Sequence, residues 1–290
     1  MRVGTYNVYE FRDRHAHENM GGVIETIERM RCDVVGLQEV PLTERSGYYG
    51  DESDESEGSY LDGCLSDALS VRAITASASQ GLGNTLLVRG KASGVRRVDL
   101  WRHGSPMRSA AMAYVPSDVG RINVCTVHLD DRREMARLEQ FQALEAELSW
   151  RGPSLVFGDF NALRESDYDE RRWDEIERAR SEAGIEWARH ELTAYIDSLG
   201  WVDLVRLGVA GSMDRYADSL RRPLPRGLTE TSRYGTRVDY VWATPDLARK
   251  VRVTAFEVVP SDASDHRPVV VEIKPLRQKK KRAARSPSAA

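Results

Sequence analysis

Six short segments set ionisable or amide side chains against apolar runs. Five of them place such residues at the end of a run: Thr5-Tyr6-Asn7, Gly36-Leu37-Gln38-Glu39, Val127-His128-Leu129, Gly158-Asp159-Phe160-Asn161 and Ser264-Asp265-His266-Arg267-Pro268. The sixth, Arg237-Val238-Asp239-Tyr240, lies within a run. Polar groups next to a core need partners or a job. Asn7, Glu39 and Asp265 offer hard oxygen ligands, and a few such oxygens plus waters suit Mg²⁺. Asp159 and Asn161 are two apart, so on an extended backbone they point the same way. One can take a proton from water while the other orients it. His266 follows Asp265 and can contact phosphoryl oxygens. Asp239 would hold it in one tautomer and keep it cationic. His128 is a second candidate for the same phosphoryl group.

Each piece alone has a plainer reading. Glu39 could be a surface carboxylate, and His128 a satisfied semi-buried histidine. Gly158-Asp159-Phe160-Asn161 could be a turn that uses Asp and Asn for backbone hydrogen bonds. Asp265-His266-Arg267-Pro268 could be a loop ended by proline. The set in this order carries the argument. No G-x-S-x-G, no P-loop and no paired Cys/His nucleophile occurs. No covalent enzyme intermediate is therefore needed.

Elements of alternating type must position these residues. Arg2–Val8 and the apolar run Val34–Leu37 read as strands, with helical spacing between them at Met20, Val23, Ile24, Ile27 and Met30. Leu82–Val88, Val95–Leu100, Ser109–Val115 and Ile122–Leu129 read as short strands. Asp131–Trp150 reads as an amphipathic helix with Met135, Leu138, Phe141, Leu144 and Leu148 on one face. Ser154–Phe157 is a further buried strand. The charged stretch Asp167–Gly200 reads as helical in pieces, Arg206–Thr231 as irregular, and Val238–Trp242, Val251–Val258 and Val269–Ile273 as closing strands. Thr43–Tyr60 reads as an exposed acidic loop without EF-hand spacing. No internal repeat is visible.

The 290 residues are 41% apolar and 30% charged, a globular composition with ample core. No run of about 18 apolar residues, the length of a membrane span, occurs. The N-terminus lacks the apolar stretch of a signal peptide, so an intracellular, cytoplasmic or nuclear protein is expected. Cys32, Cys64 and Cys125 match no zinc or redox spacing and are expected to be reduced thiols. The chain divides into a domain over 1–276 and a basic tail over 277–290, which is expected to be disordered. That tail holds six basic residues and no acid, so the rest of the chain stands at −9 against −3 for the whole. A body of that sign does not suit broad capture of duplex nucleic acid, but it does suit a site that collects divalent cations. Lys279–Arg282 is a cluster of the kind read as a nuclear signal or nucleic-acid patch, or simply a solubilising tail.

In this order the motifs resemble the endonuclease/exonuclease/phosphatase superfamily, the DNase I-like fold. The matching segments are TYNV (Thr5–Val8), GLQEV (Gly36–Val40), GLGNTLL (Gly81–Leu87), VHL (Val127–Leu129), RLEQ (Arg137–Gln140), GDFNA (Gly158–Ala162), TRVDYVWATPDL (Thr236–Leu247) and SDHRPVV (Ser264–Val270). The resemblance implies a four-layer α/β sandwich: two packed mixed β-sheets flanked by helices. It also implies hydrolysis of a phosphodiester or phosphomonoester that depends on Mg²⁺ or Mn²⁺. By the family pattern Glu39 is the main metal ligand, with Asn7 and Asp265 nearby. Asp159 activates the attacking water, Asn161 holds the phosphate, Asp239 supports His266, and His128 is the second catalytic histidine. Asn84, Arg137 and Tyr240, within the matching segments, are expected to contact substrate. The segment at His128 lacks the N-x-Y-x-P-N of apurinic-site endonucleases, which disfavours base-excision repair. Arg132 and Arg133 beside it, and Trp173, Trp187 and Trp201, read either as phosphate and base contacts or as a solvated helix start and core packing. Nucleic acid is the favoured substrate and a monomer the expected state. Inositol phosphates or lipids, or a catalytically dead phosphate-binding module, are the alternatives.

Overall fold

The computed structural model describes residues 1–42, 60–100, 106–148 and 151–276. Strand β1 (Arg2–Asn7) is buried on both faces from Val3 onward, with the polar Thr5 and Asn7 buried alongside Val3 and Tyr6. Helix α1 (Met20–Met30) opens with the Asn19 side chain accepting from the Gly22 N–H and buries Val23, Ile27 and Met30. It returns the chain to β2 (Val34–Pro41), which pairs parallel to β1 with Asn7 opposite Gln38. Helix α2 (Tyr60–Leu69) and the antiparallel strands β3 (Arg72–Ser77) and β4 (Leu82–Val88) follow.

The second sheet starts with β5 (Ser93–Asp99), β6 (Ser109–Ser117) and β7 (Gly120–His128). Helix α3 (Glu134–Leu148) then crosses to β8 (Ser154–Asp159), parallel to β7 with His128 opposite Asp159. Helices α4 (Glu170–Glu182) and α5 (Glu191–Ser198) lead to the short strand β9 (Val202–Asp203), then to α6 (Leu204–Ala210) and α7 (Tyr216–Ser219). Strand β10 (Asp239–Ala243) runs antiparallel to β8 with Asp239 opposite Asp159. After α8 (Pro245–Ala248), β11 (Val251–Val258) and β12 (Val269–Pro275) return to the first sheet. The strand orders are β11-β12-β1-β2-β4-β3 and β5-β6-β7-β8-β10-β9. Each sheet is therefore built around one parallel pair joined by a helical crossover.

The core is layered accordingly. Val3, Val34, Leu86 and Val271 of the first sheet meet Ala111, Val124, Phe157 and Val241 of the second. Outside the first sheet, Val35, Leu37 and Val270 pack on Ile27 of α1 and Leu65 of α2. Outside the second, Val127, Val156 and Trp242 pack on Phe141 and Leu144 of α3 and Ile196 of α5. This is the expected four-layer sandwich. Burial of each such side chain contributes about 1.5–3 kcal/mol. Cys32 and Cys125 are buried free thiols, and burial pushes the Cys32 thiol up to about 12, so it stays unreactive. No helix among the described residues is long and apolar enough to cross a membrane.

Three expectations change. Helix α3 starts at Glu134 rather than Asp131, and Met135 is exposed. Steps of three residues fall behind the 3.6-residue turn, so Met135 lies roughly 120° around the helix from Phe141. The buried face instead carries Arg137 and Gln140 with Phe141, Leu144 and Leu148. Arg206–Thr231 is not wholly irregular. Asp203 caps α6 by accepting from the Val205 and Arg206 N–H groups, and Leu204, Val205 and Leu207 bury. Tyr60 opens α2, whereas the rest of the Thr43–Tyr60 segment and the tail lie outside the described residues.

Candidate active site

The carboxyl ends of the two parallel pairs meet at one edge of the sandwich, where open α/β sheets place their ligand sites. Asn7 ends β1, His128 ends β7 and Asp159 ends β8. Glu39 sits in β2 at a bulge between Leu37 and Val40, with a left-handed φ of 57°. A bulge re-aims a side chain, and here it separates Glu39 from its buried neighbour Gln38. Gln38 ties the two sheets together: its amide donates to Thr126 Oγ1 at 2.9 Å and its carbonyl accepts from Thr5 Oγ1 at 3.2 Å. Two motif glycines make the approach possible. A Cβ on Gly36 would meet Thr126 Oγ1 at 2.3 Å, and one on Gly158 would meet the Val127 carbonyl at 1.9 Å.

Asp159 is the hub. Asn7 Nδ2 donates to Asp159 Oδ2 at 3.1 Å and to Glu39 Oε1 at 3.0 Å. His128 Nε2 and His266 Nε2 lie 3.6 and 3.8 Å from Asp159 Oδ2. The other oxygen, Oδ1, accepts from the Asn161 N–H at 2.8 Å. Burial pushes the Asp159 carboxyl up to about 7, and the Asp239 charge adds to this. Burial likewise raises Glu39 above its ordinary value.

The two histidines differ. His266 Nδ1 lies 3.0 Å from Asp239 Oδ2. Burial opposes charge on His266, but the carboxylates of Asp239, Asp159 and Asp265 outweigh it and lift the ring to about 10. His266 is thus an imidazolium at neutral pH. His128 is neutral, since burial, the Arg108 guanidinium and His266 all lower its pKa. Arg108 Nη1 stands 3.3 Å from His128 Nδ1, and Asn161 Nδ2 stands 3.0 Å from Nε2. Of the two rings, only His266 is cationic at neutral pH.

Asn7, Glu39, His128, Asp159, Asn161, Asp239, Asp265 and His266 all come together. Asn161 does so for a different reason from the one anticipated. Strand β8 ends at Asp159, and Asn161 adopts a left-handed φ of 51° in a turn closed by the Asp159 side chain. Asn84, Arg137 and Tyr240 are not in the cleft. Asn84 is buried, donating to the Ser109 carbonyl at 2.7 Å. Arg137 is buried against Glu134, Glu186 and the Asp130 carbonyl. The Tyr240 hydroxyl donates to the Ala162 carbonyl at 3.1 Å, beneath the Asp159 turn. Each is spent on internal bonds and positions a neighbour of the site. Trp201 packs on Phe141 and Trp173 on Tyr168, whereas Trp187 is 80% exposed. Arg132 borders the cleft. Arg108 was not anticipated: it lies outside the motifs and resembles any surface arginine in sequence.

The charge balance fits a cation. Four carboxylates, those of Glu39, Asp159, Asp239 and Asp265, crowd the cleft edge. Among the described residues, no hydrogen-bond donor reaches the buried Asp239 Oδ1 or Asp265 Oδ1. Asp159, Asp239 and His266 offer ligand atoms all within 4.8 Å of one another. A protonated His266 bonded to Asp239 is a poor ligand, and the oxygens of Glu39 and Asp265 are of the type a hard divalent ion takes, whereas Asn7 Oδ1 accepts from the Tyr9 N–H at 3.0 Å and its Nδ2 faces Glu39.

The sequence profile of the Endonuclease/Exonuclease/phosphatase family matches residues 4–266. No curated protein sequence matches the chain. Several solved structures share the fold. An endonuclease/exonuclease/phosphatase from Beutenbergia cavernae superposes with a TM-score of 0.65 at 19% identity, covering 95% of this chain and 71% of that one. A mannosyl-6-phosphatase from Bacteroides thetaiotaomicron gives 0.59 at 13% identity, covering 94% and 99%. The human Nocturnin catalytic domain with bound sulfate gives 0.57 at 16% identity, covering 95% and 94%.

Proposed function

Since the chain belongs to the endonuclease/exonuclease/phosphatase family, whose members are phosphoester hydrolases, we propose that it hydrolyses a phosphodiester, in nucleic acid by preference, through direct attack of water. The observation that carries this reading is the convergence of a buried base, Asp159, and an imidazolium, His266, on one point of an open cleft.

Glu39, Asn7 and Asp265 would hold Mg²⁺ or Mn²⁺, which when bound offsets phosphoryl charge and makes water more acidic. Asp159 Oδ2 accepts the proton of the attacking water. Its pKa near 7 matches the operating pH of a general base. The new P–O bond forms as the ester P–O bond breaks, and no covalent enzyme intermediate is required. Asn161, held by Asp159 and the Leu129 carbonyl, orients the phosphate. Charge growing on the non-bridging oxygens meets the His266 imidazolium, fixed by Asp239.

A phosphomonoester is the second reading, favoured by the mannosyl-6-phosphatase among the similar structures. A labelled single-stranded oligonucleotide and an inositol polyphosphate, each incubated with Mg²⁺ or Mn²⁺ and with EDTA, separate the two. Metal-dependent cleavage of the oligonucleotide supports the first reading. Release of inorganic phosphate from the second substrate alone replaces it.

A further inference from the structure

The cleft extends past the reacting centre, with a volume of about 690 Å³. One wall is a single face of α4, where Arg172, Ile176, Ala179, Arg180 and Ala183 recur at three- and four-residue spacing. Tyr234, 59% exposed, borders the same space. Five arginines line the cleft: Arg108, Arg132, Arg172, Arg180 and Arg233. The same lining carries seven carboxylates, so what each arginine pairs with decides whether it can take an anion. Four have a carboxylate within reach: Arg108 at 2.8 Å and Arg132 at 3.9 Å from Asp131, Arg172 at 3.2 Å from Glu175, and Arg233 at 3.5 Å from Asp265.

Arg180 differs. Among the described residues no carboxylate lies within ion-pair distance of it. Its Nε donates to the Glu186 carbonyl at 2.6 Å, which fixes the guanidinium. The Glu186 carboxylate is taken by Arg137 and by the Glu134 N–H. Burial and the Arg137 charge disfavour the Arg180 cation and outweigh the favourable charges of Glu186 and Glu134, which stand near it without pairing with it. A held, half-buried guanidinium with no carboxylate in ion-pair contact among the described residues, at the side of the cleft, is placed to take an anion. Ile176, Ala179, Ala183 and Tyr234 give a ring an apolar and aromatic surface beside it.

We propose that Arg180 anchors a second anion subsite, which binds a phosphate other than the one being cleaved, so that the substrate is a nucleotide ester with at least two phosphates. The proposal rests on the phosphodiesterase reading and narrows its substrate. A guanidinium is suited to this task because it meets phosphate oxygens through paired donors.

Two chromogenic esters test it: thymidine 5′-(p-nitrophenyl phosphate) and the same compound phosphorylated at the 3′ hydroxyl. With Mg²⁺ the wild-type chain is expected to show a KM on the order of tenfold lower for the bisphosphate. In Arg180→Ala the ratio of the two KM values falls to near one, and Arg180→Lys keeps part of it. Arg178→Ala, on the opposite side of α4 away from the cleft, keeps the full ratio. Calorimetric binding of thymidine 5′-monophosphate and thymidine 3′,5′-bisphosphate in EDTA repeats the comparison without turnover. If neither ester reacts but the bisphosphate preference exists and is lost in Arg180→Ala, the catalytic reading fails and the subsite stands. Equal affinity of the wild-type chain for both compounds, or a ratio unchanged in Arg180→Ala, overturns the subsite.

Discussion

At the residue scale, the site separates two histidines that sequence treats alike. His266 is lifted to about 10 by three carboxylates, while His128 is held neutral beside Arg108. A raised folded-state pKa keeps the His266 imidazolium through neutral pH and loses it only as pH rises through about 10. Asp239→Asn removes the partner of Nδ1, so the alkaline limb of kcat/KM should move down by several pH units. At pH 8.5 activity should fall on the order of 10²-fold. A profile of kcat/KM over pH 6–10 checks this, and an unmoved alkaline limb contradicts it. Asp159 shifts in the same direction. Its folded pKa is raised to about 7, so ionisation costs stability as pH rises from the ordinary carboxyl range through 7. Asp159→Asn should therefore abolish turnover yet raise the metal-free chain's stability at pH 8, by on the order of 2 kcal/mol. Thermal unfolding in EDTA measures it. Most of these residues could be read in sequence because each ends an apolar run. Arg108 and Arg180 could not, since an arginine in a polar stretch reveals neither what faces it nor what it lacks.

At the element scale, two parallel pairs joined by α1 and α3 deliver the chemistry. They repeat the same arrangement without any repeat in sequence, because backbone pairing needs only apolar faces and a crossover. The close approach of β7 and β8 is set by Gly158. Gly158→Ala should destabilise the chain by about 3 kcal/mol or more, since the new methyl would meet strand backbone rather than a movable side chain. Gly63, in α2 with nothing among the described residues within 4 Å of where its Cβ would stand, provides the contrast: Gly63→Ala should stabilise by up to about 1 kcal/mol. Urea unfolding of both variants decides, and equal effects would contradict the packing account. Strands and the first helix were readable from apolar spacing. The buried face of α3 was not, because Arg137 and Gln140 occupy positions where spacing arguments expect apolar residues.

At the scale of the whole molecule, the least readable feature is a buried charge network behind the site. Asp167 pairs with Arg206 and Arg237, Arg237 with Asp203, and Arg164 with Asp197. Arg206, Arg237 and Asp167 have no exposed side-chain surface. The segment looks solvated in sequence because charge there is read one residue at a time, whereas the fold cancels it in pairs. Arg237 lies two residues before Asp239, so the network anchors the start of β10. Asp167→Ala leaves two buried guanidinium groups short of charge and should cost about 3–5 kcal/mol. Chemical denaturation at pH 7.5 measures this, and a loss under about 1 kcal/mol would contradict the network's structural role. The central claim is that the cleft hydrolyses a phosphodiester with a divalent cation held by its acids. Its most direct test is p-nitrophenolate release from bis-p-nitrophenyl phosphate by the wild-type chain, Glu39→Ala and His266→Ala, with Mg²⁺ and with EDTA. The account predicts release that requires the metal and falls roughly 10²-fold or more in both variants. A folded, metal-saturated wild-type chain inert toward the ester, or release undiminished in either variant, would contradict it.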